Sequence, residues 1–246
     1  MTELAHLKST PAALLEQRTL LDRVDTKFIM RPHELSALIQ RLDGENYGVT
    51  RHSGGAAFSY ENVYFDTPER ALLRAHHRGQ RPRYKIRIRH YLSREMSFFE
   101  VKQKRPSGAT TKERISVPFR SDTITTEGSH LLQAHHRLPE EPLLPAMRIG
   151  FDRIMLVGNH TPERVSIDTR LWFSDEHADA RLEDLVIVEV KQARFAARSP
   201  IMRALRASGA LQLRVSKYVT GAQLLWSHIR LNRYGDRLRI LRRRIA

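Results

Sequence analysis

The chain has 246 residues, 41% of them apolar and 28% charged, with no cysteine and a formal charge of +15. This balance excludes wholesale disorder, disulfides and thiolate chemistry, and no run approaches the roughly 20 apolar residues of a membrane span. The excess of cations points to a polyanionic partner: nucleic acid, phosphate chains, nucleotides or an anionic membrane.

The opening "MTELAHLKSTPAALLEQ" lacks a basic stretch followed by an apolar core, so no signal peptide is expected and a cytoplasmic location is the default. "STPAALLEQRTLLDR" reads as an N-terminal helix within residues 1–22, with Thr10 as cap and Pro11 in the first turn. "RPHELSALIQRL" places Leu35, Leu38, Ile39 and Leu42 at helical spacing.

Short alternating runs predict strands at Arg23 to Met30, Tyr60 to Phe65, Arg83 to Tyr91, Ser97 to Lys104, Lys112 to Val117, Arg148 to Leu156, Arg164 to Phe173 and Leu185 to Lys191. "TPERALLRAHHRG", "SPIMRALRASGAL" and "SKYVTGAQLLWSHIRL" read as helices. The last 17 residues, 230–246, carry seven arginines and one acid and read as a basic tail, either solvated or anion-seeking. Eight strands with Gly, Pro, Ser and Asp turns predict one domain, an antiparallel barrel or sandwich.

The strands share a pattern. "RPRYKIRIRHY" puts cations at 81, 83, 85, 87 and 89, one face of a strand whose other face is Ile86 and Ile88. Arg23, Asp25 and Lys27 share a face, as do Glu100, Lys102 and Lys104, then Lys112 and Arg114, and finally Glu189 and Lys191. On one strand such a face is ordinarily solvated. Neighbouring strands of like charge repel, so the repetition predicts that the faces enclose an anion. Hard divalent ions are held by a few carboxylates plus phosphate oxygens, which suits Glu100 and Glu189, each two residues before a lysine in "EVK".

These elements resemble the VTC domain of polyphosphate polymerases, within the triphosphate tunnel metalloenzyme superfamily. The matching pieces are "RVDTKFIM", "ENVYFDTPERALL", "RYKIRIRHY", "FFEVKQK", "TTKERISV", "RIGFDRIML", "RVSIDTRLWF", "VIVEVKQ" and "LRVSKYVTG". The resemblance implies an α+β fold: an eight-stranded antiparallel β-barrel, or tunnel, over residues 23–229 with helices packed outside. It also implies transfer of the ATP γ-phosphoryl group onto polyphosphate with Mn²⁺ or Mg²⁺. Lys27, Arg87, Arg89, Lys102 and Arg153 would be the catalytic phosphate contacts, with Arg148 the alternative to Arg153. Lys217 would hold the nucleotide end, and Lys112, Arg114 and Lys191 are further contacts. Glu189 and Glu100 would hold the metal.

The superfamily's hydrolases and cyclases begin with Glu-x-Glu-x-Lys; here the run is Arg23-Val-Asp25-Thr-Lys27, which favours the polymerase branch. A tripolyphosphate or nucleoside triphosphate hydrolase, or a non-catalytic polyanion-binding module, is the alternative. A duplex could not enter a small barrel, so nucleic acid is disfavoured, and a membrane protein partner would be needed to couple synthesis to export. The pairs His76-His77 and His135-His136 lack metal-site spacing. Tyr64 to Pro68, "YFDTP", reads as a strand ending in an Asp-capped turn.

Overall fold

The computed structural model describes residues 4–18, 23–229 and 232–245. Each run of alternating residues folds as a strand: β1 (Val24–Met30), β3 (Ala57–Asp66), β4 (Arg83–Tyr91), β5 (Met96–Lys104), β6 (Thr110–Val117), β7 (Leu144–Gly158), β8 (Glu163–Ser174) and β10 (Val186–Gln192). Three short strands join them, β2 (Tyr47–Val49), β9 (Asp179–Leu182) and β11 (Leu211–Gln212). The helices are α1 (Ala12–Gln17), α2 (Pro32–Gln40), α3 (Ala71–Arg78), α4 (Thr126–Gln133), α5 (Pro200–Ala207), α6 (Lys217–Leu225) and α7 (Asn232–Ile245). Pro11 occupies the cap of α1, one position ahead of the expectation, and residues 19–22 of the anticipated N-terminal helix lie outside the described ones. The arginine-rich stretch 232–245 is helical.

The strands form one antiparallel sheet in the order β11-β1-β10-β8-β7-β3-β4-β5-β6. The expected closed eight-stranded barrel is corrected here: among the described residues the sheet has eleven strands and no ladder joins β6 back to the β11–β1 edge. The sheet curls, so side chains from both ends of the order face one cavity.

Alternation divides the core between two faces. On the convex face, Phe28, Val165, Ile167, Val186 and Val188 pack beneath Leu38 of α2 and Ile201 and Leu205 of α5. Further along, Val63, Ile86, Ile88, Phe99 and Val101 pack with Leu72 of α3 and Leu131 and Leu132 of α4. Each such fully buried side chain is worth about 1.5–3 kcal/mol. On the concave face lies α6, whose Tyr218, Val219 and Ala222 meet Met147, Phe173 and Ile187. Gly221 permits that approach, because a Cβ there would collide with Met147 and Phe173.

Candidate functional site

The concave faces of β1, β4, β5, β6, β7, β8 and β10 enclose a cavity of about 210 Å³. Ten lysines and arginines line it, against the carboxylates of Asp25, Asp168 and Glu189. In β4 the polar positions Lys85, Arg87 and Arg89 alternate with the buried Ile86, Ile88 and His90, so one strand supplies three cations while its other face anchors the core.

The cations are fixed by the acids among them. Glu100 on β5 has a side chain 1% exposed. Its Oε2 accepts from Arg87 Nε at 2.8 Å and Nη2 at 2.6 Å, its Oε1 accepts from Lys112 Nζ at 2.5 Å, and Arg89 lies 3.9 Å away. Arg87 also donates to the Tyr64 hydroxyl at 2.9 Å, and Arg89 to the Asn62 side-chain oxygen at 2.9 Å. Arg153 grips Asp168 through two bonds, of 2.6 and 2.8 Å, and Lys217 at the start of α6 pairs with the same carboxylate. Glu189 lies 3.5 Å from Lys27 across the β1–β10 ladder and 3.0 Å from Lys191. Lys27 Nζ donates to Val215 O at 3.1 Å, and Lys85 Nζ to Ser216 Oγ at 3.0 Å, tying the segment before α6 to the wall.

Crowding shifts the ionisation of these groups. Burial alone would raise the Glu100 carboxyl, but Arg87, Arg89 and Lys112 hold it well below the usual carboxylate range. Asp168 is held low by Arg153 and Lys217, and Glu189 by Lys191 and Lys27, each against the same burial penalty. The lysines go the other way: burial pushes Lys112 and Lys217 down to about 8 in spite of their acid partners. Burial, then Lys27 and Lys102, push Lys85 well below an ordinary lysine. Burial, then Lys85 and Arg83, lower His76 of α3 to about 2. Burial acts against the charge on these lysines, as do the cations beside Lys85, and a bound polyanion would offset both.

An aromatic belt crosses the same face. Phe98, Tyr91, Tyr60 and Phe151 stand on adjacent strands with ring centroids 5.7, 5.0 and 5.4 Å apart. Arg114 lies 4.8 Å over Phe98, Arg153 5.1 Å over Phe151 and Lys217 4.3 Å over Phe151. The belt gives the cations a stiff floor.

Lys27, Arg87, Arg89, Lys102, Lys112, Arg153, Lys191, Lys217 and Glu189 therefore come together at one cavity, and Arg114 stacks on the same face. Arg148 does not join them. It lies on the convex face, donating to Glu61 at 2.8 Å and Asp122 at 3.0 Å. Five positions along β7 bring Arg153 to the concave side, an odd separation that flips the face. Sequence reasoning missed Tyr64, Asn62 and Asp168 as supports, because their partners stand on neighbouring strands. Asp66 is buried, accepting from the amides of Thr67, Leu72 and Leu73 and from the Tyr218 hydroxyl.

Among the described residues no group of three or more His, Asp and Glu converges as a metal cage. Glu100 is buried behind the cavity wall with its oxygens on Arg87 and Lys112, so its carboxylate serves as a brace. Glu189 and Asp25 line the cavity on paired strands, and two carboxylates completed by phosphate oxygens are the donor set a hard divalent ion accepts. The site fits such an ion only jointly with its substrate.

Residues 22–226 match the VTC domain family. No curated protein matches the chain by sequence. Among solved structures, a candidate adenylate cyclase from Bacillus halodurans shares 14% identity, covering 83% of this chain and 97% of that one, with a TM-score of 0.47. A Hippeastrum protein with a dominant triphosphatase activity shares 12% identity over 85% of this chain and 99% of that one, TM-score 0.49. An RNA triphosphatase from S. pombe shares 13% over 95% and 94%, TM-score 0.29. The superpositions are loose, and the assignment of the family rests on the sequence match.

Proposed function

The chain belongs to the VTC domain family, and from that premise we propose that it is a metal-dependent polyphosphate polymerase that uses ATP as phosphoryl donor. The observation that carries this reading is the cavity itself, ten cations around a small volume against three carboxylates, with burial, Lys27 and Lys102 all acting against the charge on Lys85. A phosphate chain is the ligand that meets such a demand at closely spaced points.

In the proposed reaction a terminal oxygen of the polyphosphate chain attacks the γ-phosphorus of ATP. A new P–O–P link forms, the bond between the γ-phosphorus and the bridging oxygen breaks, and ADP carries that oxygen away. No nucleophile of the protein is needed, because phosphoryl transfer depends on positioning and charge neutralisation. Arg87 and Arg89, braced by Glu100, Tyr64 and Asn62, hold transferring and chain phosphates; Arg153 and Lys217, joined through Asp168, hold the opposite side; Lys27 and Lys102 extend the grip along the cavity. Glu189 and Asp25 would hold a divalent ion together with phosphate oxygens, and that ion would supply further neutralisation.

The test is purified protein with ATP and Mn²⁺, scored for phosphoanhydride polymer and ADP in equal phosphoryl count. Release of free phosphate from tripolyphosphate without polymer would transfer the assignment to a hydrolase. Glu189→Ala should abolish turnover and leave tripolyphosphate binding intact or tighter; loss of binding together with turnover would argue against a metal role for Glu189.

A further inference from the structure

A second cationic concavity lies outside the curled sheet. Arg70, Arg74, His77 and Arg78 recur at the spacing of one helix face and line a groove of about 750 Å³ with His177, Trp226 and His228 on its other side. Arg70 is held in place. Its backbone is in the left-handed region with φ 57°, and its guanidinium lies 4.5 Å over the Trp226 ring. The indole N–H of Trp226 donates to Asp175 Oδ2 at 2.6 Å, while Asp175 Oδ1 accepts from the amides of His177 and Ala178. The acids of the groove are thus engaged, Asp175 as described and Glu69 with Arg74 at 3.7 Å. The adjoining α7, with six arginines and one aspartate, packs against α3.

We propose that this groove is a second binding site for linear polyphosphate, holding a stretch of chain beyond the phosphates in the enclosed cavity. The groove has more than three times the volume of that cavity, so it can take a longer segment. Guanidinium and imidazole N–H groups match phosphate oxygens. Single-stranded nucleic acid is bound by stacking bases on open aromatic faces; Trp226 is buried and covered by Arg70, so the groove offers donors without a platform. The choice of polyphosphate rests on the reading of the cavity; the site itself rests on the groove's own residues.

The full chain carrying Arg74→Glu and His228→Glu is compared with wild type. Both positions are exposed and lie outside the cavity. The probes are tripolyphosphate, long-chain polyphosphate and single-stranded DNA of equal total charge, at several salt concentrations. The variant should lose about tenfold or more in long-chain affinity, a difference of about 1.4 kcal/mol, with a shallower salt dependence. Its affinity for tripolyphosphate should be unchanged. Unchanged long-chain affinity in the variant, or wild type that binds no long chain, overturns the proposal, as does DNA bound as tightly as polyphosphate and lost equally. Failure of tripolyphosphate to bind wild type would instead overturn the reading of the cavity, while a long-chain loss in the variant would still locate the groove as a site.

Discussion

Glu100→Gln is the sharpest probe of how the cavity is built. The substitution keeps the size of the side chain and one acceptor oxygen, and removes a single negative charge from a position 1% exposed. That charge holds Arg87 at 2.6 Å and Lys112 at 2.5 Å, with Arg89 at 3.9 Å. Removing one partner of a buried pair costs about 3–5 kcal/mol. Lys112 is 41% exposed, so its share is screened and the lower figure applies. For a chain of this size about 3 kcal/mol lowers Tm by roughly 6–12 °C. Urea and thermal melts of both proteins, with and without tripolyphosphate, measure the effect. Tripolyphosphate should stabilise Glu100→Gln more than wild type, since a bound anion replaces the missing charge. The pH dependence has a definite sign. The cations depress the Glu100 carboxyl, so its contribution is complete above the unfolded value of about 4.3, and is lost as pH falls through the depressed folded value. That acid limb should be reduced in the variant. A variant within 1 kcal/mol of wild type by the measure of buried pairs, with equal gain from tripolyphosphate, would refute the reasoning.

Three further outcomes are expected. Tripolyphosphate affinity should weaken as pH rises through about 8, where Lys112 and Lys217 lose their protons; calorimetry at that pH should register proton uptake on binding, and Lys217→Arg, always charged, should flatten the profile. Arg153→Ala should cost about 1.5–3 kcal/mol of anion binding, the range for charged hydrogen bonds, whereas Arg148→Ala should leave affinity unchanged in the same titration, because Arg148 lies on the far face with Glu61 and Asp122. Gly221→Ala should destabilise by about 1–3 kcal/mol in urea melts, since the new methyl overpacks Met147 and Phe173, and it should lower activity by shifting Lys217 with α6.

Much of this arrangement is legible in the chain. The alternation from Arg83 to Tyr91 gives β4 end to end, because one face meets Ile, Phe and Val from its neighbours and the other meets water and charge. The grouping of Lys27, Arg87, Arg89, Lys102 and Glu189 follows once those faces are taken to turn inward. Closure does not follow. Whether β6 pairs with β1 depends on curl and register summed over the whole sheet, and no local pattern encodes that sum. The same limit separates Arg148 from Arg153: both belong to "RIGFDR", and only the strand's placement shows which faces the cavity. The braces were hidden for a related reason, since Tyr64, Asn62 and Asp168 reach their arginines across a ladder whose register no single strand's pattern gives. Helix α4 and the three short strands are too brief or too weakly patterned to stand out.

Among the described residues no ladder joins β6 to the β11–β1 edge, and this has a mechanical consequence. In a closed barrel, widening the lumen means breaking backbone hydrogen bonds around the circumference. Here the β6 and β11 margins can part without that loss, so the girth of the cavity is set by side-chain contacts, such as those of Lys27 and Lys85 to the segment before α6, and by whatever lies among the charges. Repulsion among the clustered cations opposes a narrow cavity, and a phosphate chain lying among them would relieve it. The sheet can therefore act as a spring-loaded clasp, its resting width set by those contacts against mutual repulsion and its grip tightened by the anion it holds.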